Sequence, residues 1–383
     1  MNSFDVIVIG LGGMGSAALA NVAGRGVSVM GIEQFTLGHL QGSSSGKSRM
    51  IRKAYFEHAS YVPLMLRAYD AWNKLERFTG MPLFRKTSVL LAGRAESPML
   101  RGAANSAQAY DLPSEHLSAD EIRRRFPMLH PLDDEVGLLE PDAGFIMPEA
   151  AIDAYLRVAE EHGAKMLFES KVIGWDRGAG ETLLRVRLDD GTSIAASRLI
   201  VCAGPWWSMF ADKAMPVHLQ RNVQLWFRPS SALFSIGKCP AFMLDRAGLP
   251  KPLYGFPDYG AGVKAALHGF GETIDTPEQV DRAVHPGDIE PVRDALASWM
   301  PGSNAKFIEG KVCIYELTPD QHFVIGAHPS DAHVIMAGGF SGHGFKFASV
   351  VGEVLADLAL DGGTAYDLAF LSPNRFARSS IGT

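Results

Sequence analysis

The feature that most constrains the fold is the stretch 4–15, which reads FDVIVIGLGGMG. Its apolar, β-branched run is typical of a strand buried on both faces, and a small-residue helix pattern follows the glycines. The spacing predicts that Gly10 allows a tight turn, that Gly12 lets a pyrophosphate approach the backbone, and that Gly15 lets helix and strand pack closely. We therefore expect a pyrophosphate to bind the free N–H groups at the N-terminus of this helix.

A second strand-like run at 27–32 ends in Glu33. This acid lies roughly twenty positions after Gly10, where a carboxylate binds the ribose hydroxyls of an adenosine. Together these features predict a dinucleotide site, and the alternative is a glycine turn in an unrelated α/β protein. The fingerprint does not separate FAD from NAD, because both carry the same ADP half. Its position ahead of any substrate domain favours FAD.

The composition is that of a soluble globular protein: 383 residues are long enough for two domains, with 47% hydrophobic and 20% charged residues. No apolar run approaches the roughly 20 residues that span a bilayer. The first strand begins almost at once, so we expect no signal peptide. A net charge of −6 gives no basic stripe for nucleic acid or a membrane surface.

The three cysteines, Cys202, Cys239 and Cys313, are widely separated and lack the spacing of a metal site. An odd, sparse set fits a reducing cytoplasm better than a disulfide framework. Cys202 lies inside a strand-like apolar run, which favours an inert core thiol. We therefore expect a cytoplasmic protein without a bound metal.

A Gly/Ser tract at 42–48 precedes two arginines, Arg49 and Arg52. Its N–H and hydroxyl groups suit a loop around a phosphate or a flavin edge, and the alternative is a surface linker. The arginines are three positions apart, so an extended chain would point them to opposite faces. One of them is then available to the cofactor and the other to a substrate anion.

The remaining pattern alternates helical and strand-like segments. The predicted helices cover 61–78 and 148–162, and the predicted strands cover 88–92, 165–175, 183–188 and 198–206. The polar stretch 95–140 indicates exposed helices and loops. The stretch 213–312 is rich in strand-like aromatic segments, and we expect it to form most of a second domain that holds the substrate.

Four features of the second half carry chemistry: a turn at 254–260, Lys264 in a small apolar stretch, the run 311–316, and the run 334–346. Lys264 is interpreted either as a partly buried functional lysine or as a surface lysine with a buried stem. In the last run a strand ends in a glycine-rich loop that opens a helix to about residue 360. Such a helix start favours an anion, for example the N1/O2 edge of a reduced flavin.

These motifs resemble the monomeric sarcosine oxidase family, which includes N-methyltryptophan oxidase and lies among the D-amino-acid-oxidase-like flavoproteins. The resemblance runs nearly end to end and rests on RMIRKAY at 49–55, YGFP at 254–257, CIY at 313–315 and GFSGHGFK at 339–346. It implies an α/β fold, in which a Rossmann-like FAD-binding domain is interleaved with an α+β substrate domain built on an antiparallel sheet. We expect the first domain to comprise 1–82, 148–212 and 323–383, and the second to comprise 83–147 and 213–322.

The resemblance implies roles for individual residues. Cys313 matches the cysteine that carries FAD covalently through the flavin 8α-methyl group, and Arg52 and Lys346 match the pair that binds the substrate carboxylate. Tyr254, His268 and Tyr315 match the residues that line the substrate cavity. Lys264 matches the lysine that activates oxygen and Arg49 an arginine on the flavin face, so that Lys264, Arg49 and His268 form the expected catalytic set. The expected FAD contacts are Gly10, Gly12, Gly15, Glu33, Ser43, Arg49, Val172, Gly204, Cys313, Gly339, Gly342, His343, Gly344 and Lys346.

The chain departs from the family pattern in two places. Ser44 and Ser45 stand where the family has two histidines, which removes groups near the flavin ring. The segment 259–262 is about one residue shorter than in the family, which alters the cavity wall and the amine substituent that fits. These departures bear on covalent attachment and on substrate choice.

The resemblance implies an FAD-dependent oxidase of sarcosine or another N-methyl amino acid, with formaldehyde, the demethylated amino acid and hydrogen peroxide as products. It also implies a monomer whose partners are a small amino acid and O2. The closest alternatives are an oxidase of sugar-derived (Amadori) amino acids and one of cyclic imino acids. A nicotinamide-dependent dehydrogenase would share the glycine fingerprint but would not need Cys313 or the 339–346 loop. A flavin-binding module without turnover is the non-enzyme alternative.

Overall fold

The structure is a computed structural model that describes residues 3–178, 180, 182–211 and 215–376. Within these residues the chain forms a mixed α/β fold with three sheets. The strands are β1 (Ser3–Ile9), β2 (Val29–Ile32), β3 (Arg49–Ile51), β4 (Phe84–Lys86), β5 (Val89–Arg94), β6 (Glu115–Ser118), β7 (Glu135–Glu140), β8 (Gly144–Ile146), β9 (Lys165–Leu167), β10 (Val172–Asp176), β11 (Leu184–Leu188), β12 (Ser193–Val201), β13 (His218–Arg228), β14 (Ala241–Asp245), β15 (Leu253–Phe256), β16 (Val263–Leu267), β17 (Thr273–Ile274), β18 (Lys306–Leu317), β19 (Val324–His328) and β20 (Asp331–Gly338).

The α-helices of the described residues are α1 (Gly13–Ala23), α2 (Val62–Thr79), α3 (Pro98–Ala109), α4 (Ala119–Arg125), α5 (Pro148–Glu161), α6 (Pro286–Trp299) and α7 (Ala348–Leu360). The predicted helices at 61–78 and 148–162 are therefore confirmed as α2 and α5. In the part of the chain that is described, no helix combines the length and the apolar character that a membrane span needs.

The first sheet is built around parallel strands in the order β9–β2–β1–β12–β20. Strands β10, β11 and β19 extend it in antiparallel pairings. Val6 and Val8 pack into one hydrophobic core with α1, α5 and α7, whereas Ile7 and Ile9 pack into the core on the opposite face. The strand is thus buried on both faces, as its continuous apolar run predicts.

The second sheet follows the order β17–β13–β16–β15–β14–β5–β7–β6, and β18 also pairs with β13. Its pairings are antiparallel except for β5 with β14. Helix α6 covers one face of this sheet through Leu296 and Trp299, and α3 covers the other face through Leu100 and Ala103. The predicted antiparallel sheet is therefore present, with one parallel pair of strands.

The third sheet, β3–β8–β4, carries the arginine segment. Arg49 pairs with Ile146 at its edge, and the strand ends at Ile51. Arg52 therefore lies beyond the strand, and the alternation that would send the two arginines to opposite faces does not apply. The predicted assignment of chain segments to two domains remains a prediction. Its boundary between residues 212 and 213 lies outside the described residues.

Three local predictions were wrong. The stretch 165–175 forms two strands, β9 and β10, which lie at opposite edges of the first sheet. The stretch 95–140 includes the buried strand β7, whose terminal residues Glu135 and Glu140 have partners inside the fold. Tyr254 lies in strand β15, and the turn follows that strand instead of beginning at residue 254.

Candidate active site

A large cavity lies where the carboxyl ends of β1, β2 and β12 face the second sheet. In open α/β sheets ligands bind at this edge. The cavity wall contains most of the residues predicted from the sequence, which are Gly10, Gly12, Glu33, Ser43, Arg49, Arg52, Val172, Gly204, Tyr254, His268, Cys313, Tyr315, Gly342, His343, Gly344 and Lys346. Gly15, Lys264 and Gly339 are not part of the wall.

The glycine turn has the geometry that its sequence predicts. Gly10 has φ +85°, and a Cβ there would lie 2.4 Å from the carbonyl oxygen of Cys202. A Cβ on Gly15 would lie 1.7 Å from the carbonyl oxygen of Gly10. Helix α1 begins at Gly13, and its N-cap residue Gly12 offers no side chain to the first N–H groups. The helix N-terminus is therefore open to an external anion.

Glu33 lies at the end of β2 and is 6% exposed. Its carboxylate accepts hydrogen bonds from the backbone N–H of Leu11 at 2.9 Å and of Phe35 at 3.1 Å, and it lies 3.6 Å from His39 Nε2. Burial acts to raise the pKa of Glu33, but the hydrogen bonds from His39 and Leu11 outweigh it and lower the pKa. Glu33 is thus an ionised group that fixes the glycine turn, and its contact with a ribose remains a prediction.

The Gly/Ser loop packs against this helix instead of forming a surface linker. Ser44 Oγ accepts a hydrogen bond from the backbone N–H of Gly13 at 3.1 Å. Ser45 and Ser48 are buried. The serine hydroxyl therefore occupies one of the donors at the start of α1, close to where a pyrophosphate is expected.

Arg49 holds the loop in shape. Its guanidinium donates to the carbonyl oxygens of Ser43 and Ser48, each at 2.9 Å, and to that of Ser45. It also donates to Gln224 Oε1 at 3.3 Å. A guanidinium has five N–H donors in a rigid plane, so one side chain can organise several carbonyl groups.

Cys313 lies on β18 and is 2% exposed. Its Sγ lies 3.5 Å from the carbonyl oxygen of Ser43. Burial raises the pKa of the Cys313 thiol, and the positive charges of Arg49 and Lys264 oppose this rise. In contrast, burial alone raises the pKa of Cys239 to about 12. Cys313 is thus a cavity thiol whose thiolate form two neighbouring cations favour.

Lys264 is 1% exposed, so its interpretation as a surface lysine was wrong. Its Nζ donates to the carbonyl oxygens of Gly46 at 2.6 Å and Ser48 at 2.8 Å. It also lies 5.0 Å from the ring centre of Phe256. Burial, followed by the charge of Arg49, lowers the pKa of Lys264 well below its usual value. The lysine is therefore held behind the Gly/Ser loop, next to the cavity-lining residues Phe256 and Arg49, and does not itself line the cavity.

Tyr254, His268 and Tyr315 form an aromatic part of the cavity wall. The ring centres of Tyr254 and His268 lie 6.1 Å apart, and those of His268 and Tyr315 lie 5.8 Å apart. Burial lowers the pKa of His268 to about 4, and the charge of Glu57 only partly opposes this effect. His268 is therefore uncharged at neutral pH, and this part of the wall carries no charge of its own.

Arg52 and Lys346 both lie next to the ring of Tyr55. Arg52 Cζ lies 4.8 Å from the ring centre of Tyr55, and Lys346 Nζ lies 5.0 Å from it. Both cations are buried, at 2% and 7% exposure. Burial lowers the pKa of Lys346 to about 7, although the charge of Glu57 opposes the shift. The structure thus brings together the two residues that the sequence assigns to a carboxylate.

A carboxylate of the chain already lies at these cations. Glu57 Oε2 accepts a hydrogen bond from Arg52 Nη2 at 2.9 Å. Burial acts to raise the pKa of Glu57, but the charges of Arg52 and Lys346 hold it at about 2. A second carboxylate at this place would therefore meet Arg52 and Lys346 together with Glu57, which already takes up part of their charge.

His343 is fixed by two hydrogen bonds. Its Nε2 lies 3.0 Å from the carbonyl oxygen of Gln321, which requires the proton on Nε2. Its Nδ1 therefore accepts from the Tyr55 hydroxyl at 2.5 Å, and that hydroxyl accepts from Lys346 Nζ at 3.2 Å. Burial lowers the pKa of His343 to about 3, which is consistent with a neutral ring. The chain of donors points from Lys346 through Tyr55 to His343.

Comparisons with known proteins identify the family. The model of the FAD dependent oxidoreductase (DAO) family matches residues 5–358. The chain belongs to the FAD dependent oxidoreductase family. It is 40% identical to monomeric sarcosine oxidase of Streptomyces avermitilis, over 98% of each chain. It is 34% identical to N-methyl-L-tryptophan oxidase of Salmonella enteritidis PT4, over 98% of this chain and 100% of that protein.

The fold of this FAD dependent oxidoreductase is also found among solved structures. The open form of NikD, an amino acid oxidase of nikkomycin biosynthesis, superposes with a TM-score of 0.87. It covers 97% of this chain and 98% of NikD, at 23% sequence identity. At this identity the likeness establishes the fold, and it agrees with the Rossmann-like sheet and the antiparallel sheet described above.

The side chains and backbone groups of this FAD dependent oxidoreductase fit its cofactor. The open N-terminus of α1 offers N–H donors to a pyrophosphate, and Glu33 offers an ionised acceptor near it. Cys313 lies on the same cavity wall, beyond the Gly/Ser loop. The loop before the short helix Phe345–Phe347 lines the cavity with His343 and Gly344. The N–H donors at the start of α1, Cys313 and the loop at His343 and Gly344 therefore line one and the same cavity.

Sequence reasoning assigned no role to three acidic residues near the site. Glu57 follows the arginine motif and pairs with Arg52, and Glu316 directly follows the recognised CIY segment. Glu140, from the stretch expected to be exposed, accepts hydrogen bonds from the backbone N–H of Lys53 at 2.7 Å and of Ala54 at 3.0 Å. A signal existed for Glu57 and Glu316, because both lie within two residues of quoted motifs. For Glu140 the contact depends on the tertiary fold alone.

Proposed function

We propose that the chain is an FAD-dependent oxidase of N-methyl amino acids such as sarcosine. The substrate carboxylate binds Arg52 and Lys346, which directs the N-methyl group into the cavity. The observation that carries this proposal is the pair of buried cations, Arg52 and Lys346, which lie 4.8 and 5.0 Å from the ring centre of Tyr55. Relatives named as sarcosine and N-methyl-L-tryptophan oxidases support the choice of N-methyl amino acids.

Arg52 has donors to spare for a substrate. Its guanidinium donates to the carbonyl oxygen of Ala54 at 2.5 Å and to Glu57 at 2.9 Å. Five N–H donors are available on a guanidinium, and its fork matches a carboxylate at two points. Lys346 adds a point charge beside the same ring. Because both groups are buried, orientation of the substrate is the main contribution that we assign to them.

The aromatic wall completes the substrate pocket. Tyr254, His268 and Tyr315 exclude water from the reacting carbon without adding a charge, since burial keeps His268 neutral at neutral pH. The substrate amine reacts in its unprotonated form, because its lone pair drives the oxidation. FAD held in this cavity would supply the two-electron oxidation of the N–CH₃ group, with O2 as the final acceptor and hydrogen peroxide as its product. The resulting imine hydrolyses to formaldehyde and the demethylated amino acid.

We further propose that Cys313 carries the flavin as an 8α thioether. Attachment replaces one S–H bond and one methyl C–H bond with a C–S bond. Two protons are released and the two electrons are transferred to O2. The nearby charges of Arg49 and Lys264, which oppose the burial-raised pKa of Cys313, support thiolate formation. Lys264 is also proposed to promote the reaction with O2, since its protonated form would place a cation where superoxide develops.

The proposal includes the domain boundaries, the cellular location and the oligomeric state of the chain. The FAD-binding domain comprises 1–82, 148–212 and 323–383, and the substrate domain comprises 83–147 and 213–322. The chain works as a cytoplasmic monomer. Cys202, Cys239 and Cys313 form no disulfide, which supports a reducing compartment, and the relatives named monomeric support the oligomeric state.

The test is a substrate panel with the purified yellow protein, read by release of hydrogen peroxide. Sarcosine and bulkier N-methyl amino acids form the first arm, with L-proline and a fructosyl amino acid as the alternatives. We expect turnover of N-methyl amino acids, release of formaldehyde, and no turnover of the corresponding N-methylamines without a carboxylate. Preferential turnover of proline or the fructosyl compound would contradict the proposal and leave the flavin assignment standing.

A further inference from the structure

Glu316 is a buried carboxyl group on the cavity wall that the proposed reaction does not use. It lies near the end of β18 and is 5% exposed. A carboxylate in such a place is unfavourable unless a cation or several N–H groups hold it. Among the described residues, no cation contributes to the electrostatics of Glu316. Its position therefore calls for another partner.

The hydrogen bonds of Glu316 are incomplete. Oε2 accepts from the backbone N–H of Gly339 at 3.2 Å. Oε1 lies 3.5 Å from Ser43 Oγ, but that hydroxyl donates to the carbonyl oxygen of Ile314 at 2.6 Å. A hydroxyl has one proton, so the shorter contact takes it and Oε1 is left as a free acceptor. Burial raises the pKa of Glu316 to about 7, which agrees with a carboxylate that lacks donors.

The place of Oε1 identifies the donor that is missing. It lies 3.6 Å from where a Cβ on Gly204 would be, just after the carboxyl end of β12. The neighbouring strand β1 ends in the glycine turn that faces the pyrophosphate. On the other side, Ser43 connects Glu316 to Ile314, the residue after Cys313. Glu316 therefore faces the part of the cavity between the pyrophosphate turn and the cysteine.

In FAD the part between the pyrophosphate and the flavin ring is a sugar-alcohol chain, and its hydroxyl groups are hydrogen-bond donors. We propose that Glu316 accepts a hydrogen bond from one hydroxyl of this chain and thereby positions the linker of the cofactor. A phosphate is a poor partner here, because its negative charge would repel the carboxylate. The inference concerns cofactor binding and does not depend on the identity of the substrate.

The test measures reversible FAD binding, with Cys313→Ala as the parent so that no covalent bond forms. Apoprotein is titrated with FAD and with FAD analogues that lack the 2′-, 3′- or 4′-hydroxyl of the sugar-alcohol chain, and flavin fluorescence is recorded. Loss of a hydrogen bond to a charged group weakens binding by about tenfold to a hundredfold. We therefore expect Glu316→Ala to raise the Kd of FAD by that factor, and Glu316→Gln to raise it less, because the amide keeps an acceptor oxygen.

The decisive result is the double-mutant comparison. For one of the three analogues, Glu316→Ala should not weaken binding further, because that analogue already lacks the hydroxyl that Glu316 binds. Glu309→Ala, on the same strand but ion-paired with Lys47, is the matched control and should leave all Kd values unchanged. The inference would be overturned if Glu316→Ala raised the Kd of FAD and of all three analogues by the same factor. It would also be overturned if Glu316→Ala bound FAD as tightly as the parent or more tightly. If the Cys313→Ala apoprotein binds too weakly, the same variants are compared with Cys313 intact by the rise in Tm that each ligand causes.

Discussion

We assign the two ends of the cavity to two negative groups, a pyrophosphate and a substrate carboxylate, which they would bind by different means. At the pyrophosphate end the donors are backbone N–H groups at the start of α1, and the glycines Gly10 and Gly15 shape the turn. At the carboxylate end the donors are the side chains of Arg52 and Lys346, both buried and held beside Tyr55. Anion binding at the first end depends on the backbone conformation. At the second end it depends on two individual side chains, both of which are buried.

This difference has a consequence for how each end responds to change. A helix N-terminus spreads its charge over several N–H groups, so the loss of one neighbouring side chain removes little of it. A buried ion pair that loses one member leaves the other without compensation. We therefore expect substitutions at the carboxylate end to be far more damaging than substitutions beside the glycine turn.

The largest effect is expected between the two ends, at Cys313. In Cys313→Ala no thioether can form, so the colour that stays with acid-denatured protein should be lost entirely to the supernatant. The matched control is Cys239→Ala, which removes another buried thiol that is not on the cavity wall. A yellow pellet from Cys313→Ala would show that the flavin is attached elsewhere. A colourless pellet from the parent would show that both ends hold FAD without a covalent bond.

Arg52→Ala should have the next largest effect. The substitution removes the carboxylate fork and leaves Glu57 without its hydrogen-bonded cation. Truncating one partner of a buried charge pair at a binding site costs a few kcal/mol, so we expect kcat/KM to fall by about a hundredfold to a thousandfold. Steady-state peroxide release with sarcosine measures it, and the flavin absorbance confirms that the variant is loaded.

Arg52→Lys is the control for charge without the fork. It should recover part of the loss, since a point charge replaces the two-point contact. An Arg52→Ala protein that keeps its full FAD content and its full kcat/KM would contradict the assignment of this end to a carboxylate. A loss confined to FAD content would instead move Arg52 to the cofactor.

The pH dependence of carboxylate binding should follow Lys346. Burial lowers the pKa of Lys346 to about 7, whereas the pKa values of Glu57, His343 and His268 are about 2, 3 and 4. A lowered lysine pKa means that the cation is present below pH 7 and is lost above it. The Kd of a simple carboxylate such as acetate, read from the flavin spectrum, should therefore rise with pH, by at most about tenfold per unit. Lys346→Met should weaken binding and flatten this profile; an unchanged slope would contradict the role of Lys346.

The sequence predicted the pyrophosphate end closely because its geometry is local. The strand β1, the turn and the helix α1 are consecutive, and the spacing of Gly10 and Gly15 encodes the contacts between them. The approach of Arg52 to Lys346 was predicted only through a family resemblance. No periodicity in the sequence relates residues so far apart.

What the sequence could not provide depends on contacts between distant segments. Lys264 occurs in an apolar run that suits either a core or a surface strand, and only the loop carbonyls of Gly46 and Ser48 decide the matter. Glu140 ends a short strand in a polar region, yet its carboxylate fixes the backbone immediately after Arg52. In both cases the polar group is buried because its partners come from elsewhere in the chain.

The smallest effect is expected for Ser44→Ala, at the pyrophosphate end. Its hydroxyl accepts the N–H of Gly13, much as an N-cap does, so the cofactor-free protein should lose about 1 kcal/mol of unfolding free energy. Urea denaturation measures this loss. In the loaded enzyme a pyrophosphate oxygen can accept the same N–H, so kcat/KM should stay within about twofold of the parent, as for a change that leaves the reacting groups in place. If Ser44→Ala lowered kcat/KM as strongly as Arg52→Ala, the pyrophosphate end would depend on a side chain after all, and the contrast between the two ends would be lost.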